Sequence, residues 1–411
     1  MDINGIAEKY GTPIYLYDKS KIVDQCTKLK KTVGNRAQIY YSMKANPLKG
    51  ICQLMHGLGL GVEVASKGEL LTALNAGVPS EKIIFTSPGK TFDELQTAIT
   101  AKIKMINVDS LEEVSIIDFI AKEKGEKVDI SIRINPAVSS SDAKIKMSGV
   151  PSQFGVEESE VCSFLEQCVR FSNINICGFQ IYMGTQTLKP EDIENNTTYA
   201  IRLFLSLAEK YNITLKAINV GGGFGIKYFE KEDDLDMESL GNRLSSVLNE
   251  YKESLEGVDV IFESGRYLMA ESGCFVTKVL YVKESKGTKY VICDGGSNCH
   301  SSAAFLGRFV RNNFPIRSIP DCGEKEPANI TGPLCTPLDL IGQKVMINKN
   351  IKKDDYIVVD KSGAYGLTYS PFAFLSHDTP MEVIVDEEGR TSVLRERMSV
   401  EMFLQSEGDF L

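Results

Sequence analysis

Residues 37–86 read AQIYYSMKANPLKGICQLMHGLGLGVEVASKGELLTALNAGVPSEKIIFT. Three short apolar runs in this stretch, QIYYSMK, VEVA and IIFT, end near Lys44, Ala65 and Thr86. An amphipathic pattern, GELLTALNAG, lies between the second run and the third. Strands that alternate with helical patterns are typical of β/α units, in which successive strands are parallel. The stretch therefore predicts the start of a parallel β/α fold.

The same alternation continues to about residue 265. Five further candidate strands end near Val108, Ile134, Tyr182, Val220 and Glu263. Eight strands are the number that closes a (β/α)8 barrel, although the count alone leaves an open doubly wound sheet as an alternative. We predict the barrel over residues 25–270.

The pattern changes after about residue 270. Strand-like runs such as CFVTKVLYVKES and TKYVICDGG follow one another, and Gly, Pro and Asp separate them. This succession predicts an antiparallel β domain. The run TPIYLYD near the N-terminus is also strand-like, so we assign residues 1–24 and 271–411 to that second domain.

The composition limits the classes of partner. The 411 residues are 43% hydrophobic and 25% charged, as in globular proteins, and the formal net charge is −9. A negative charge argues against nucleic acid, which binds a basic face. No apolar run approaches the roughly 18 residues of a membrane span, and the N-terminus lacks the apolar core of a secretory signal. The ten cysteines form no CxxC pair and the three histidines have no metal-ligand spacing, so we expect a cytoplasmic protein without a metal site.

Several polar residues follow the predicted strands, at the end of a barrel where active sites lie. Lys44 ends the first strand, where partial removal from water favours a neutral, nucleophilic amine. The glycine run GGGFG, residues 221–225, follows the seventh strand and lets backbone N–H groups approach a phosphate. Glu263, in ESGR, follows the eighth strand and suits an acid that keeps a pyridine nitrogen protonated. Each feature also has a common structural interpretation: a solvated strand end, a tight turn or an internal Glu–Arg pair.

Two residues of the C-terminal region complete the candidates. Cys335 lies in the polar loop GPLCTPLD and suits a proton donor, although most lone cysteines are inert core residues. Tyr365, in SGAYG, is bracketed by small residues, so its hydroxyl has room to reach a ligand. A packed aromatic residue is the alternative for Tyr365.

These stretches occur in the order of a known family. The chain resembles the fold-type III pyridoxal-phosphate decarboxylases of diaminopimelate, ornithine and arginine, through YYSMKANP, VEVASKGEL, SPGKT, IRINP, SQFGV, GFQIYMGTQ, NVGGGFG, ESGR, CDGG, GPLCTPLD and GAYG. The resemblance covers nearly the whole chain. It implies an alanine-racemase-like (β/α)8 TIM barrel, a C-terminal antiparallel β domain and a homodimer with shared active sites.

The resemblance also implies roles for individual residues. Lys44 carries pyridoxal 5'-phosphate as a Schiff base, Glu263 pairs with the pyridine nitrogen, and Cys335 donates a proton across the subunit interface. The other cofactor-binding positions that it implies are Glu63, Arg133, Tyr182, Thr185, Gly222, Gly223, Gly265, Arg266 and Tyr365. The expected reaction is the decarboxylation of an amino acid.

The sequence departs from the family at positions that recognise the substrate. Diaminopimelate decarboxylases have an acid directly after the catalytic cysteine, where this chain has Thr336, and an arginine and a tyrosine where it has Ser302 and Leu306. Tyr182 replaces the histidine that stacks on the cofactor ring, and Gln180 replaces an earlier histidine. The changes at positions 302, 306 and 336 argue against free meso-diaminopimelate, and the missing acid disfavours free ornithine or lysine.

A basic stretch, GRFVRNNFPIR, directly follows Leu306. With GPLCTP, GGGFGIKYF and a tyrosine for the stacking histidine, it resembles the butirosin-pathway branch, whose members decarboxylate glutamate tethered to an acyl carrier protein. We expect Arg308, Thr336 and Asp339 to contact the substrate. We also expect Arg308, Arg311 and Arg317 to meet a phosphopantetheine phosphate or an acidic carrier helix. A solvated loop or a dimer contact is the alternative for the basic stretch.

The leading hypothesis is pyridoxal-phosphate-dependent α-decarboxylation of a modified or carrier-tethered, glutamyl-type amino acid in antibiotic or other natural-product biosynthesis. The alternatives in the same class are a diaminopimelate decarboxylase of lysine biosynthesis and a siderophore-pathway decarboxylase. An amino-acid racemase on the same barrel is the alternative of another class. A racemase needs an opposed second base, usually a tyrosine, whereas GPLCTPLD indicates the decarboxylase cysteine. A cofactor-binding protein without activity is the fourth hypothesis.

Overall fold

The computed structural model describes residues 1–137, 145–146, 151–304, 312–406 and 408. The chain divides into two compact units. One unit, called here the β unit, contains Met1–Asp24, Lys227–Glu232 and Leu268–Leu411, and the other, called the barrel unit, contains Gln25–Ile226 and Asp233–Tyr267.

Helices and strands alternate in the first two thirds of the chain, and strands dominate the last third. The helices are α1 (Ile3–Tyr10), α2 (Lys19–Val33), α3 (Lys49–Gly57), α4 (Lys67–Asn75), α5 (Phe92–Ala101), α6 (Leu111–Lys124), α7 (Val161–Cys168), α8 (Pro190–Tyr211), α9 (Met237–Glu250), α10 (Arg266–Met269) and α11 (Val400–Leu404). The strands are β1 (Ile14–Asp18), β2 (Ala37–Ser42), β3 (Gly61–Val64), β4 (Ile83–Thr86), β5 (Met105–Val108), β6 (Val128–Asn135), β7 (Ile145–Lys146), β8 (Val156–Glu157), β9 (Ile174–Ile181), β10 (Gly184–Thr185), β11 (Ala217–Asn219), β12 (Asp259–Ser264), β13 (Gly273–Ser285), β14 (Thr288–Cys293), β15 (Ile316–Ile319), β16 (Lys325–Thr331), β17 (Leu340–Asn348), β18 (Tyr356–Val359), β19 (Met381–Val385) and β20 (Thr391–Arg395).

Eight parallel strands close into a barrel in the barrel unit. Their order is β5-β4-β3-β2-β12-β11-β9-β6, and β5 also pairs with β6, which completes the ring. The predicted (β/α)8 barrel is therefore confirmed, and the alternative of an open sheet is excluded. The apolar runs IIFT and MINV coincide with β4 and β5.

The barrel interior changes from apolar to polar along the strands. One buried cluster consists of Tyr40, Ile84, Met105, Cys177, Ala217 and Ile261. Two residues further along the strand from five of these six positions, the buried residues are polar: Ser42, Thr86, Asn107, Asn219 and Glu263. Side chains two apart on a strand point to the same face, so a polar layer follows the apolar layer. This polar layer lies toward the carboxyl ends of the strands, where barrel enzymes carry their chemistry.

Helix α8 illustrates how the barrel helices form. Pro190 occupies its first turn, where the missing N–H costs no helical bond, and Asn212 ends it in the left-handed conformation with φ 49°. Its buried residues recur every three or four positions: Ile193, Thr197, Ala200, Ile201, Phe204, Leu207 and Ala208. In the parts of the chain with described structure, neither α8 nor any other helix is long and apolar enough to cross a membrane.

The β unit is built on a nine-stranded sheet. Its main path is β17-β16-β14-β13-β1-β19-β20, with β18 paired to both β13 and β15. Most neighbours are antiparallel, whereas β1 and β19 are parallel, as are β14 and β16. The predicted antiparallel β domain is confirmed in its main features. The TPIYLYD run supplies β1, which lies between β13 and β19.

Candidate active site

Lys44 lies in a single helical turn, Met43–Ala45, directly after β2. Met43 and Ala45 are buried, whereas the Lys44 side chain keeps 44% of its surface exposed. Its Nζ lies 3.3 Å from Oε1 of Glu63 and 5.8 Å from the centroid of the Tyr182 ring. The turn thus fixes the backbone of Lys44 and leaves its amine accessible, and three of the predicted site residues meet there.

Glu63 provides a hydrogen-bond acceptor beside the amine of Lys44. Its side chain is 1% exposed, and Oε2 is buried without a hydrogen-bond partner among the residues that the structure describes. Buried carboxylate oxygens are normally hydrogen-bonded. The orphaned oxygen therefore suits a site that is completed by a ligand donor.

A second lysine follows a barrel strand but has a different environment. Lys90, in the SPGKT motif, has a fully buried side chain, and its Nζ lies 2.7 Å from Oε1 of Glu113 and 3.7 Å from Oδ2 of Asp109. Asp109 in turn accepts the N–H of Gly155 at 2.6 Å. Lys90 therefore ties the loop after β4 to the segment that follows β5, whereas Lys44 keeps an accessible amine.

Glu263 is buried near the end of β12. Nδ2 of Asn219 donates a hydrogen bond of 2.6 Å to its Oε1. Burial and the nearby charge of Glu63 raise the pKa of Glu263 to about 7, although Lys44 and Asn219 act in the opposite direction. A cation placed beside Glu263 would lower this pKa and stabilise the carboxylate. An acid that faces a protonated pyridine nitrogen needs this property.

The glycine run forms a loop packed closely against its neighbours. The N–H of Glu263 donates to the carbonyl oxygen of Gly221 at 2.7 Å, and the N–H of Thr187 donates to that of Gly223 at 2.9 Å. A Cβ on Gly222 would lie 1.7 Å from the carbonyl oxygen of Glu263. Gly223 has φ 87°, and a Cβ there would lie 2.4 Å from a backbone oxygen. Only glycine fits at these two positions, so the loop after the seventh barrel strand lies against the end of the eighth, where barrel phosphate sites form.

The ESGR turn packs against the turn that carries Lys44. A Cβ on Gly265 would lie 2.7 Å from Cβ of Ala45 and 2.9 Å from the carbonyl oxygen of Ser42. Arg266 is the first residue of α10 and is partly exposed. The predicted anchor and two predicted phosphate residues therefore belong to adjoining turns at the carboxyl end of the barrel.

Thr185 lies in the short strand β10, which pairs with β7. The next residue, Gln186, has φ 65° and joins this segment to the end of the glycine loop. Its side chain accepts the N–H of Ile226 at 3.0 Å and donates to the carbonyl oxygen of the same residue. The segment that carries Thr185 is thus fixed against the glycine loop.

Arg133 is buried on β6, and its guanidinium carbon lies 4.5 Å from the centroid of the Phe154 ring. Arg133 is in register with Gln180 on β9, and Gln180 is in register with Asn219 on β11. Oε1 of Gln180 is buried and has no hydrogen-bond partner in the described ranges. Arg133, Gln180, Asn219 and Glu263 therefore lie on successive strands of the barrel.

Two residues that the sequence analysis did not single out belong to this site. Asn219 bonds Glu263, as described above. Glu69 accepts the N–H of Ala65 at 2.7 Å, and burial raises its pKa to about 7. The sequence contains a signal for Asn219. In AINVGGG, residues 217–223, Asn219 is a polar residue on the same strand face as Ala217, just before the glycine run.

The predicted Cys335, Thr336 and Asp339 belong to the β unit. Cys335 is exposed and Thr336 is partly exposed, whereas Asp339 is buried. Oδ1 of Asp339 accepts the N–H of Ser297 at 2.7 Å, and Oδ2 accepts the N–H of Leu334 at 2.8 Å. These bonds engage both oxygens, so Asp339 holds the loop that carries Cys335. The predicted contact of Asp339 with substrate stays a prediction.

Tyr365 adopts the left-handed conformation with φ 55°, and its carbonyl oxygen accepts a hydrogen bond of 2.7 Å from Oγ of Ser302. Arg317 forms an ion pair of 2.9 Å with Asp360, which partly neutralises its charge. Leu306, Arg308 and Arg311 lie outside the residues that the structure describes.

The barrel residues together fit pyridoxal phosphate. They provide an accessible amine, an aromatic ring beside it, a buried acid whose pKa is raised by burial, an orphaned carboxylate oxygen and a glycine loop. Within the ranges that the structure describes, no group of three or more His, Cys, Asp or Glu side chains is arranged to hold a metal ion.

The family model of the pyridoxal binding domain of pyridoxal-dependent decarboxylases matches residues 19–270. This segment is more than half of the chain and includes all eight barrel strands. The chain therefore belongs to the pyridoxal-dependent decarboxylases. Its cofactor is pyridoxal 5'-phosphate, and it is a decarboxylase.

Individual relatives extend the likeness to the whole chain. An L-glutamyl-[BtrI acyl-carrier protein] decarboxylase of Niallia circulans is 39% identical over 93% of this chain and 91% of the relative. A 2-[(L-alanin-3-ylcarbamoyl)methyl]-2-hydroxybutanedioate decarboxylase of Staphylococcus aureus is 30% identical over 89% and 92%. The crystal structure of the diaminopimelate decarboxylase of M. jannaschii has a TM-score of 0.90 at 28% identity, with 99% and 94% of the two chains covered. The relatives share decarboxylation and differ in the substrates that their names give.

Replacement of Glu263 by Gln should change how the stability of the cofactor-free protein depends on pH. Because the pKa of Glu263 is raised to about 7 in the folded protein, its contribution to stability is present at low pH and is lost as the pH rises through 7. Glu263→Gln should thus melt close to wild type at pH 5 and several degrees higher at pH 8, a difference on the order of 3 kcal/mol. Thermal unfolding of both proteins across this range measures the effect.

The exposed Glu81 offers a matched control. Glu81→Gln should melt within about a degree of wild type at both pH values, as surface changes usually do. Equal pH dependence of wild type and Glu263→Gln would contradict the assignment of a neutral, buried Glu263.

Proposed function

We propose that this decarboxylase acts on a modified or carrier-tethered amino acid of glutamyl type, in the biosynthesis of an antibiotic or a related natural product. The observation that carries the enzymatic part is the accessible amine of Lys44 beside Glu63 and Tyr182. The proposed substrate is supported by the 39% identity to a glutamyl-carrier-protein decarboxylase. It is also supported by Thr336, because this position lacks the acid that would bind the distal ammonium of a free diamino acid.

Bound pyridoxal phosphate supplies an electron-withdrawing ring that takes up the electron pair left when CO2 departs. Lys44 is the covalent anchor, and Glu263 holds the proton on the pyridine nitrogen. Tyr182 would stack on the ring of the bound cofactor. Glu63 orients the amine of Lys44 through their contact of 3.3 Å. The remaining binding residues are Arg133 near the cofactor hydroxyl, and Thr185, Gly222, Gly223, Gly265, Arg266 and Tyr365 around the phosphate.

Cys335 donates the proton that replaces the carboxyl group on the substrate. Its thiol is exposed, and Asp339 holds the loop on which it lies. We infer that this loop completes the site of a second copy, so that a homodimer shares its two active sites. All ten cysteines are free, which is typical of the reducing cytoplasm where we place the enzyme.

Two of the residues that differ from those of diaminopimelate decarboxylases, Thr336 and Ser302, are neutral. Thr336 replaces an acid, and its N–H donates to the carbonyl oxygen of Leu334 at 2.8 Å. Ser302 is engaged with the carbonyl oxygen of Tyr365. Neutral side chains suit a substrate whose distal end is blocked as a thioester or an amide. A substrate with a free charged distal end would find no oppositely charged side chain at these positions. Arg308 is the proposed contact for a carrier phosphate.

Diaminopimelate decarboxylase activity is the second candidate. It is favoured by the TM-score of 0.90 to the M. jannaschii enzyme over nearly the whole chain. Thr336 disfavours it, since a free diamino diacid carries a second ammonium that needs a carboxylate.

Loss of the Lys44 amine should abolish covalent binding of the cofactor. Lys44→Ala protein incubated with pyridoxal phosphate should lack the visible absorbance of the lysine-bound cofactor after dialysis, whereas wild type retains it. The exposed Lys49 lies five residues away, and Lys49→Ala should retain the absorbance. Retention by Lys44→Ala would show that another amine is the anchor.

A shared active site predicts complementation between two inactive variants. Lys44→Ala and Cys335→Ala should each lose nearly all activity. After mixing and subunit exchange, activity should return to roughly a quarter of wild type, because half of the dimers are hybrids and each hybrid has one intact site. No recovery, despite hybrids detected by mass spectrometry, would place both residues of a site on one chain.

A panel of substrates tests the proposed specificity through the release of CO2. Glutamyl-carrier protein should have a kcat/KM at least about tenfold above those of free glutamate, ornithine, lysine and meso-diaminopimelate. Thr336→Asp should increase turnover of ornithine or lysine, because it restores an acid for the distal ammonium. Preferred turnover of free meso-diaminopimelate would favour the second candidate instead.

A further inference from the structure

Asn219 is fully buried at the end of β11, and both ends of its amide are engaged. Its Nδ2 donates to Oε1 of Glu263 at 2.6 Å, and its Oδ1 accepts the N–H of Gly221 at 3.0 Å. An amide oxygen can only accept, and an amide nitrogen can only donate. The N–H of Gly221 therefore fixes which way the amide faces and directs its donor to Glu263.

A third hydrogen bond closes the arrangement. The N–H of Glu263 donates to the carbonyl oxygen of Gly221 at 2.7 Å. Asn219, Gly221 and Glu263 are thus joined pairwise in a ring of three bonds, two of them through the Asn219 side chain. The backbone has little freedom to move here, because Gly221 has φ 75° and a Cβ on it would lie 2.6 Å from the carbonyl oxygen of Ile181.

The two partners of Asn219 serve opposite ends of the cofactor in the function proposed above, on which this inference rests. Glu263 faces the pyridine nitrogen, and the glycine loop receives the phosphate. The cofactor ring is rigid, so its binding depends on the distance between these two sites. We infer that Asn219 is a positioning residue that couples the acid to the glycine loop, so that the nitrogen and the phosphate are bound at a fixed spacing.

The amide also orients the carboxyl group. Asn219 donates to Oε1 of Glu263 and so restricts the rotation of the carboxyl group. A hydrogen bond to the carboxylate favours its charged form, and the charged form is the one that attracts a protonated nitrogen. Loss of Asn219 should therefore weaken the binding of both ends of the cofactor.

Asn107 offers a matched control within the same polar layer. It is also fully buried near the end of a barrel strand, and its Nδ2 donates 2.7 Å to Oγ1 of Thr86. No hydrogen bond to Glu263 or to the glycine loop is found for it in the described residues. Asn107→Ala removes a comparable buried amide but should leave the coupling intact.

The experiment compares the dissociation constants of pyridoxal phosphate and pyridoxal for cofactor-free protein, by equilibrium dialysis. Pyridoxal has the same ring and lacks the phosphate, so the ratio of the two constants reports on the glycine loop. Asn219→Leu should weaken pyridoxal phosphate binding at least tenfold and reduce this ratio. Asn107→Ala should keep the wild-type ratio within about twofold.

Asn219→Asp distinguishes the bond to Gly221, which it can keep, from the bond to Glu263, which it loses. It keeps an acceptor for the N–H of Gly221 and places a second acid beside Glu263. The ratio should stay near that of wild type, while the acid limb of the pH dependence of binding moves to higher pH, because neighbouring acids raise each other's pKa. This variant also tests the inference if Asn219→Leu does not fold, as judged by circular dichroism.

A folded Asn219→Leu with the wild-type ratio, or an Asn219→Asp with an unchanged pH dependence, would overturn the role of Asn219. If wild type itself bound pyridoxal as tightly as pyridoxal phosphate, the proposed phosphate site would fail, and the inference would fail with it. Wild-type discrimination that persists in Asn219→Leu would remove only the role of Asn219 and leave the proposed cofactor residues in place.

Discussion

A parallel sheet that closes on itself has no free edge, and here the pairing of β5 with β6 closes it. Closure brings the carboxyl ends of eight strands to one rim. Lys44, Glu63 and Glu263 follow or end neighbouring strands of that ring, whereas Tyr182 comes from β9 at another point of it. In an open sheet these strand ends would form a row, so the contact between Lys44 and Tyr182 depends on closure.

Electrostatics then determines what the rim can bind. Burial raises the pKa values of Glu69 and Glu263 to about 7, and Glu63 adds a third carboxyl group beside Lys44. A cluster of buried acids with one partly exposed lysine favours an added positive charge. The protonated nitrogen of pyridoxal phosphate supplies such a charge. With the cofactor placed as proposed, this charge would reduce the repulsion between Glu63 and Glu263.

The fold could be predicted from the sequence because its signals are local. IIFT and MINV are short apolar runs, and they form β4 and β5 with the predicted bounds. Lys44 and Lys90 show where such reasoning stops. Both follow a strand and both lie in family motifs, but only the contact of Lys90 with Glu113 reveals that its amine is already used.

Other features of the site depend on contacts between distant segments. The sequence places Asp339 four residues after Cys335 but does not show that its oxygens bond Leu334 and Ser297, the second of which lies more than forty positions earlier. Asn219 was overlooked for the same reason, since its partner Glu263 lies on the next strand of the barrel. Sequence spacing alone does not reveal which polar groups are already paired.

The hydrogen bonds that Asp339 accepts from Ser297 and Leu334 bear on how substrate specificity changes in this fold during evolution. Both bonds use backbone N–H groups, and Oγ1 of Thr336 adds a third bond within the loop by accepting the N–H of Leu338 at 3.3 Å. An aspartate at position 336 also has an oxygen that can accept this N–H, so the loop accommodates an acid or a neutral residue there. In the proposed function, Cys335 performs the proton transfer and residue 336 selects the substrate, so a single substitution beside the thiol would change the specificity without replacing the proton donor.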